Sequence, residues 1–87
     1  MKAFNTTGAH NMADPRFGGQ SASMFVCGDD AGAKRTVAAL AEALGFEPVD
    51  AGPLTQARLL EPVAMLWISM ALAHGHGPGI AFKLLRR

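Results

Sequence analysis

His74 and His76 flank a single glycine near the end of an apolar segment, and the first chemistry they suggest is metal ligation. Two residues apart, with no cysteine or carboxylate close by, they make at most half of a four-ligand site, so no metal is expected. Cys27 stands just before a predicted helix start, where the helix dipole would favour a thiolate, but Asp29 and Asp30 follow at once and oppose that shift. The simpler reading is a small buried strand residue. Asp29 and Asp30 could be paired carboxylates for acid and base work; their position explains them better as a turn and a helix cap. Glu61 has Arg58 three residues before it, which predicts a local ion pair rather than a catalytic acid. Met65, Trp67 and Met70 could line a pocket for a flat ring, yet such a stripe in a helix is more often packing. No side chain emerges as a catalytic nucleophile or base.

The elements that would position these residues follow from pattern. Lys2 to Thr6 reads as a strand, preceded only by the initial Met; an abrupt beginning of this kind suggests a truncated gene or a late start codon. Gly8 to Ser23 shows neither a helical nor an alternating period and is expected to be a turn-rich surface loop. Met24 to Cys27 is a short apolar run suited to a central strand buried on both faces. A helix follows from Asp30, with Val37, Leu40, Ala41 and Leu44 on one face, Asp30 as its cap and Gly45 as its stop. Burial of Val37, Leu40 and Leu44 would contribute about 1.5 to 3 kcal/mol each before entropy is subtracted. Phe46 to Ala51 is a second strand, and Pro48 favours an edge position for it. Strand, helix and strand make a candidate βαβ unit whose strand directions stay open at this stage.

Thr55 can cap a last long helix, Gln56 to about Ala73, in which Pro62 predicts a kink. Its apolar residues run nearly all round, a pattern of burial on every side that eighty-seven residues cannot supply. A second copy of the chain, or a separate nucleotide-binding half, is therefore expected to cover residues 56–73. The fold class that results is α/β: a partial Rossmann-like sheet of two to three strands, one packing helix and one long apolar helix toward the carboxyl end, all in one domain over residues 1–87.

Composition narrows the partners. The net charge of +1 and the scattered basic residues leave no nucleic-acid footprint, the Lys83, Arg86 and Arg87 cluster reading as a solvated tail. The longest uncharged apolar run, Pro62 to Ala73, is too short to span a bilayer. One cysteine and no secretory signal fit a cytoplasmic location.

Four strings in register carry a resemblance: Lys2-Ala3-Phe4-Asn5-Thr6, Phe25-Val26-Cys27-Gly28-Asp29-Asp30, Val49-Asp50-Ala51-Gly52-Pro53-Leu54, and Ala57-Arg58-Leu59-Leu60-Glu61-Pro62. Together they resemble the NADPH-dependent reductases of the deazaflavin coenzyme F-420 and their dinucleotide-binding relatives. The resemblance implies a Rossmann half that holds NADP, with this region supplying later strands, a packing helix and a dimer contact. It implies hydride transfer between NADP(H) and coenzyme F-420 or a flavin-like acceptor. It places Asn5, Thr6, Thr7, Gly8 and Ala9 along the nicotinamide pocket, with Ala9 the residue whose backbone touches the cofactor, and Pro78, Gly79 and Ile80 over the second substrate. Residues that end a strand suit such a place, because ligands of open α/β sheets sit beyond strand carboxyl ends.

One departure is large. No G-x-G-x-x-G follows a strand, and Gly75-His76-Gly77-Pro78-Gly79 has the wrong spacing and follows a helix. Little cofactor affinity is expected from this chain alone, since the backbone N–H groups that hold a diphosphate are missing. A rival reading is a non-catalytic interaction module that pairs through its long apolar helix. A third, weaker one is a small ligand-binding α/β domain of unrelated function, which predicts a stable monomer.

Overall fold

The computed structural model describes residues 2, 3 and 9–87. Elements run in the order α1 (Ala9–Ala13), β1 (Arg16–Phe17), β2 (Gln20–Ser21), β3 (Ser23–Cys27), α2 (Ala31–Ala43), β4 (Glu47–Gly52), a 3-10 turn (Leu54–Gln56), α3 (Ala57–Ile68) and a closing π turn (Ser69–Ala73). The α/β class and the partial Rossmann-like sheet are as the sequence predicts.

The expected βαβ unit is present, and the structure resolves its open question: β3 and β4 pair in parallel, from Ser23 opposite Glu47 to Cys27 opposite Gly52. The register slips between Val26 and Cys27, so Ala51 is the extra residue of a bulge. Asp50 closes that bulge by accepting a hydrogen bond from the Gly52 N–H at 2.8 Å. The central role of β3 is also borne out. Its far edge exchanges two backbone hydrogen bonds between Lys2 and Cys27, in antiparallel sense, and its first residue donates to the Phe82 carbonyl at 3.0 Å. Met24, Val26 and Cys27 are buried, and Pro48 lies on the edge strand as expected.

Both predicted ends of α2 hold. Asp30 accepts from the Ala33 N–H at 3.1 Å, and Gly45 takes a positive φ of 99° where the helix stops. Its burial differs from expectation. Ala41 is the residue of α2 that is buried, joining Ala22, Met24 and Phe46 in the core, whereas Leu40 and Leu44 are 53% and 45% exposed. A two-stranded parallel platform is narrower than the apolar stripe laid across it. The stripe overhangs one side, and the burial energy assigned to those leucines is not realised within the chain.

Three further expectations are corrected. The stretch from Gly8 to Ser23 is not an unstructured loop, since residues 9–13 form α1 and Arg16–Phe17 pairs antiparallel with Gln20–Ser21. A five-residue helix is too short to show a period, and Gly18, with φ of 64°, makes the two-residue hairpin turn. Thr55 does not cap the long helix. It sits inside the 3-10 turn, and the carboxylate at that start is Asp29, which accepts from the Leu54 N–H at 3.0 Å. Glu61 pairs not with Arg58 but with Lys2, at 2.6 Å. The antiparallel bridge to Cys27 brings Lys2 onto α3, and a tertiary partner takes the carboxylate from its helical neighbour.

The long helix itself is present, with Pro62 inside α3, and it is covered on one side only. Leu60, Trp67 and Ala71 are buried, while Leu59, Met65, Leu66, Ile68 and Leu72 are exposed. Among the described residues, no helix is long and apolar enough to cross a membrane.

Candidate functional site

Two described parts of the region that the sequence singles out for ligands, the helix opened by Ala9 and the segment ending at Ile80, meet at a single carbonyl. Asn5, Thr6, Thr7 and Gly8 lie outside the described residues, and Ala9 opens α1. Two residues further on, Asn11 is 1% exposed, and its side-chain amide donates to the backbone oxygen of Ile80. The indole N–H of Trp67, on α3, donates to the same oxygen at 2.7 Å. A carbonyl has two lone pairs and both are used. Three parts of the chain therefore converge there: α1, α3 and the end of the turn Pro78-Gly79-Ile80. Either buried donor left without a partner would cost about 1 to 3 kcal/mol.

Beside this junction, Met12, Phe17 and Ala81 pack onto the Ala22, Met24, Ala41 and Phe46 core. The following residues are tied to the starts of β3 and β4: the Leu84 N–H donates to the Ser23 hydroxyl at 2.9 Å, and Lys83 pairs with Glu47 at 3.0 Å. The turn before Ile80 is open by contrast. A Cβ at Gly75, Gly77 or Gly79 would meet nothing within 4 Å, and Pro78 and Gly79 are exposed.

The structure thus brings Ala9's helix and the Pro78 to Ile80 turn together, near the amino end of β3. That end is opposite to the one holding Gly28, Asp29, Asp30 and Gly52.

Cys27, Asp29 and Asp30 fall where their simpler readings put them. Cys27 is buried in β3, and Asp29 and Asp30 each hold a helical start. His74 and His76 are exposed beyond the π turn, and no group of three potential metal ligands occurs among the described residues. The Met65, Trp67 and Met70 stripe divides, with Trp67 buried and Met65 62% exposed. The Gly52 N–H, then Lys34 at 3.1 Å, hold the Asp50 carboxyl below its ordinary value.

Sequence reasoning missed Asn11 altogether, because an asparagine inside an apparent loop gives no sign of burial. Trp67 carried a signal in its polar handle, as a buried indole N–H needs an acceptor. Nothing in the sequence named Ile80 as that acceptor.

No family model matches the sequence. The chain is 41% identical over 66 residues to the metalloreductase STEAP3 of Rattus norvegicus, a match covering 75% of this chain and 13% of that protein. It is also similar to the crystal structure of a candidate F-420-dependent NADP-reductase from Arthrobacter sp. FB24. There the TM-score is 0.85 and the identity 40%, over 98% of this chain and 39% of the other. This chain therefore spans about two fifths of the solved structure and about one eighth of the curated relative. The resemblance to the F-420 reductases and their dinucleotide-binding relatives is borne out over nearly its whole length.

Proposed function

We propose, from the premise that this chain is a portion of a dinucleotide-binding reductase of the F-420 kind, that it forms the carboxyl-terminal part of an NADP-dependent oxidoreductase. The reaction is hydride transfer between NADP(H) and a deazaflavin or flavin-like acceptor. The observation that carries the reading is the match of 98% of the chain, at 40% identity, to a structure two and a half times as long. The chain alone is inactive on this reading. Its sequence holds no G-x-G-x-x-G, and the positive-φ glycines near the carboxyl end, Gly75 and Gly77, follow a helix.

The cofactors supply the hydride chemistry when bound, so the protein needs no nucleophile of its own. What this chain contributes is orientation. Asn5 to Ala9 border the nicotinamide, and Pro78, Gly79 and Ile80 border the acceptor. The apolar side of residues 56–73 meets a second copy or a separate Rossmann half, and the complex works in the cytoplasm. A second reading, a non-catalytic pairing module, draws support from the exposed Leu59, Met65, Leu66, Ile68 and Leu72.

Calorimetric titration with NADPH distinguishes the two. The purified chain should give no binding heat, and binding should emerge on addition of a Rossmann half from a related enzyme. Tight binding by the chain alone overturns the dependence on a missing half; no binding in the mixture favours the pairing module.

A further inference from the structure

We infer that Asn11 and Trp67 are positioning residues that hold Ala9's helix and the Pro78 to Ile80 turn as one mechanical unit, through their shared acceptor, the Ile80 carbonyl. The inference rests on the oxidoreductase reading above for the roles of those two segments, and on geometry for the coupling between them. Asn11 and Trp67 belong to elements fifty-six residues apart, and each is almost wholly buried. Both donors are shielded from water, and together they fix where Ile80 stands.

Among the described residues, few other backbone hydrogen bonds hold the turn. After the π turn, the Gly77 N–H reaches back to the Ala71 carbonyl at 3.0 Å, and the next anchor beyond Ile80 is the Phe82 carbonyl on Ser23. Gly75, Gly77 and Gly79 have open space where a Cβ would be. Glycine and proline in open space can hold a position only if something pins the chain at the end, and the Ile80 carbonyl is that pin. The five-residue α1 is equally dependent, being too short to persist without tertiary contacts. A change at either donor should therefore loosen both segments, not only its own. For the reaction, the two walls keep a fixed spacing, which matters because hydride transfer requires donor and acceptor rings at a set separation.

The experiment has two readouts. The first is hydrogen exchange on the eighty-seven-residue chain, comparing wild type with Trp67→Phe and Asn11→Ala. Trp67→Phe keeps an aromatic ring and removes the indole donor together with part of the ring volume, so it serves where Asn11→Ala fails to fold. The expected result is that Trp67→Phe, which alters α3, speeds exchange about tenfold both in residues 9–13 and in the amides around Ile80, with β3 and β4 unchanged. Loosening that stays within α3 and the Ile80 region overturns the inference.

The second readout is NADPH-driven reduction of FMN or a deazaflavin by the chain mixed with a Rossmann half. Because both walls loosen together, Trp67→Phe should raise the acceptor KM and the NADPH KM and lower kcat, each about fivefold. An active wild-type mixture whose acceptor KM ignores the substitution sinks the positioning role alone. A wild-type mixture that reduces neither acceptor sinks the oxidoreductase reading, and this inference with it.

Discussion

Asp29 accepts a hydrogen bond from the backbone N–H of Leu54, 3.0 Å away and twenty-five residues along the chain, while its neighbour Asp30 accepts from Ala33 only three residues on. Adjacent carboxylates thus hold the starts of two different helical segments. One bond is local to α2, and the other ties the end of β3 to the turn that launches α3.

Asp29→Ala and Asp30→Ala are each expected to lower stability by about 1 kcal/mol, the usual cost of a lost cap. They should differ in where they act. Hydrogen exchange ought to quicken at Leu54–Gln56 in the first variant and at the opening turn of α2 in the second. Identical patterns would refute the division of labour.

Asp50 sets a pH dependence. Its carboxyl is held below its ordinary value near 3.8 by the Gly52 N–H first and Lys34 second. The folded state therefore binds that proton less readily than the unfolded state, and the contribution is complete above the ordinary value. It fades as pH falls through the lower, folded value. Urea midpoints measured from pH 6 to pH 3 should fall in wild type and fall less steeply in Asp50→Asn, whereas parallel slopes would exclude Asp50 as a source.

The Lys2–Glu61 pair, 2.6 Å long but with Glu61 63% exposed, should matter little. Lys2→Ala is expected to cost under about 1 kcal/mol, an effect that shrinks further in 0.5 M salt because exposed charges are screened. A loss of several kcal/mol that persists in salt would show that the pair is buried in solution.

The uncovered side of α3 predicts association. Met65, Ile68 and Leu72 recur at spacings of three and four and are all exposed. Sedimentation of the isolated chain should give a mass above 9.1 kDa, and Met65→Glu with Leu72→Glu should return it to a monomer with unchanged circular dichroism. A compact wild-type monomer that melts cooperatively would remove the case for a partner on this face.

Much of the fold was legible in the residues themselves, because local chemistry suffices where an element is long and its ends are marked. The capped α2, the apolar run of β3 and the proline of β4 each state their role within a few positions. Where neighbours along the chain do not decide, the sequence was silent or misleading. Arg58 looked like the partner of Glu61 until the antiparallel bridge at Cys27 delivered Lys2. Leu40 and Leu44 looked buried until the width of the sheet was fixed.

The candidate site divides in the same way. The four strings that resemble the F-420 reductases were readable as sequence, since a shared pattern survives in one dimension. That Asn11 and Trp67 meet at the Ile80 oxygen was not, because a backbone carbonyl is the same group in every residue and only packing selects it. Residue types dictated which segments would be helix or strand and which donors would need acceptors. The tertiary structure alone chose the acceptors, since that choice depends on which distant atoms come within 3 Å once the core has closed.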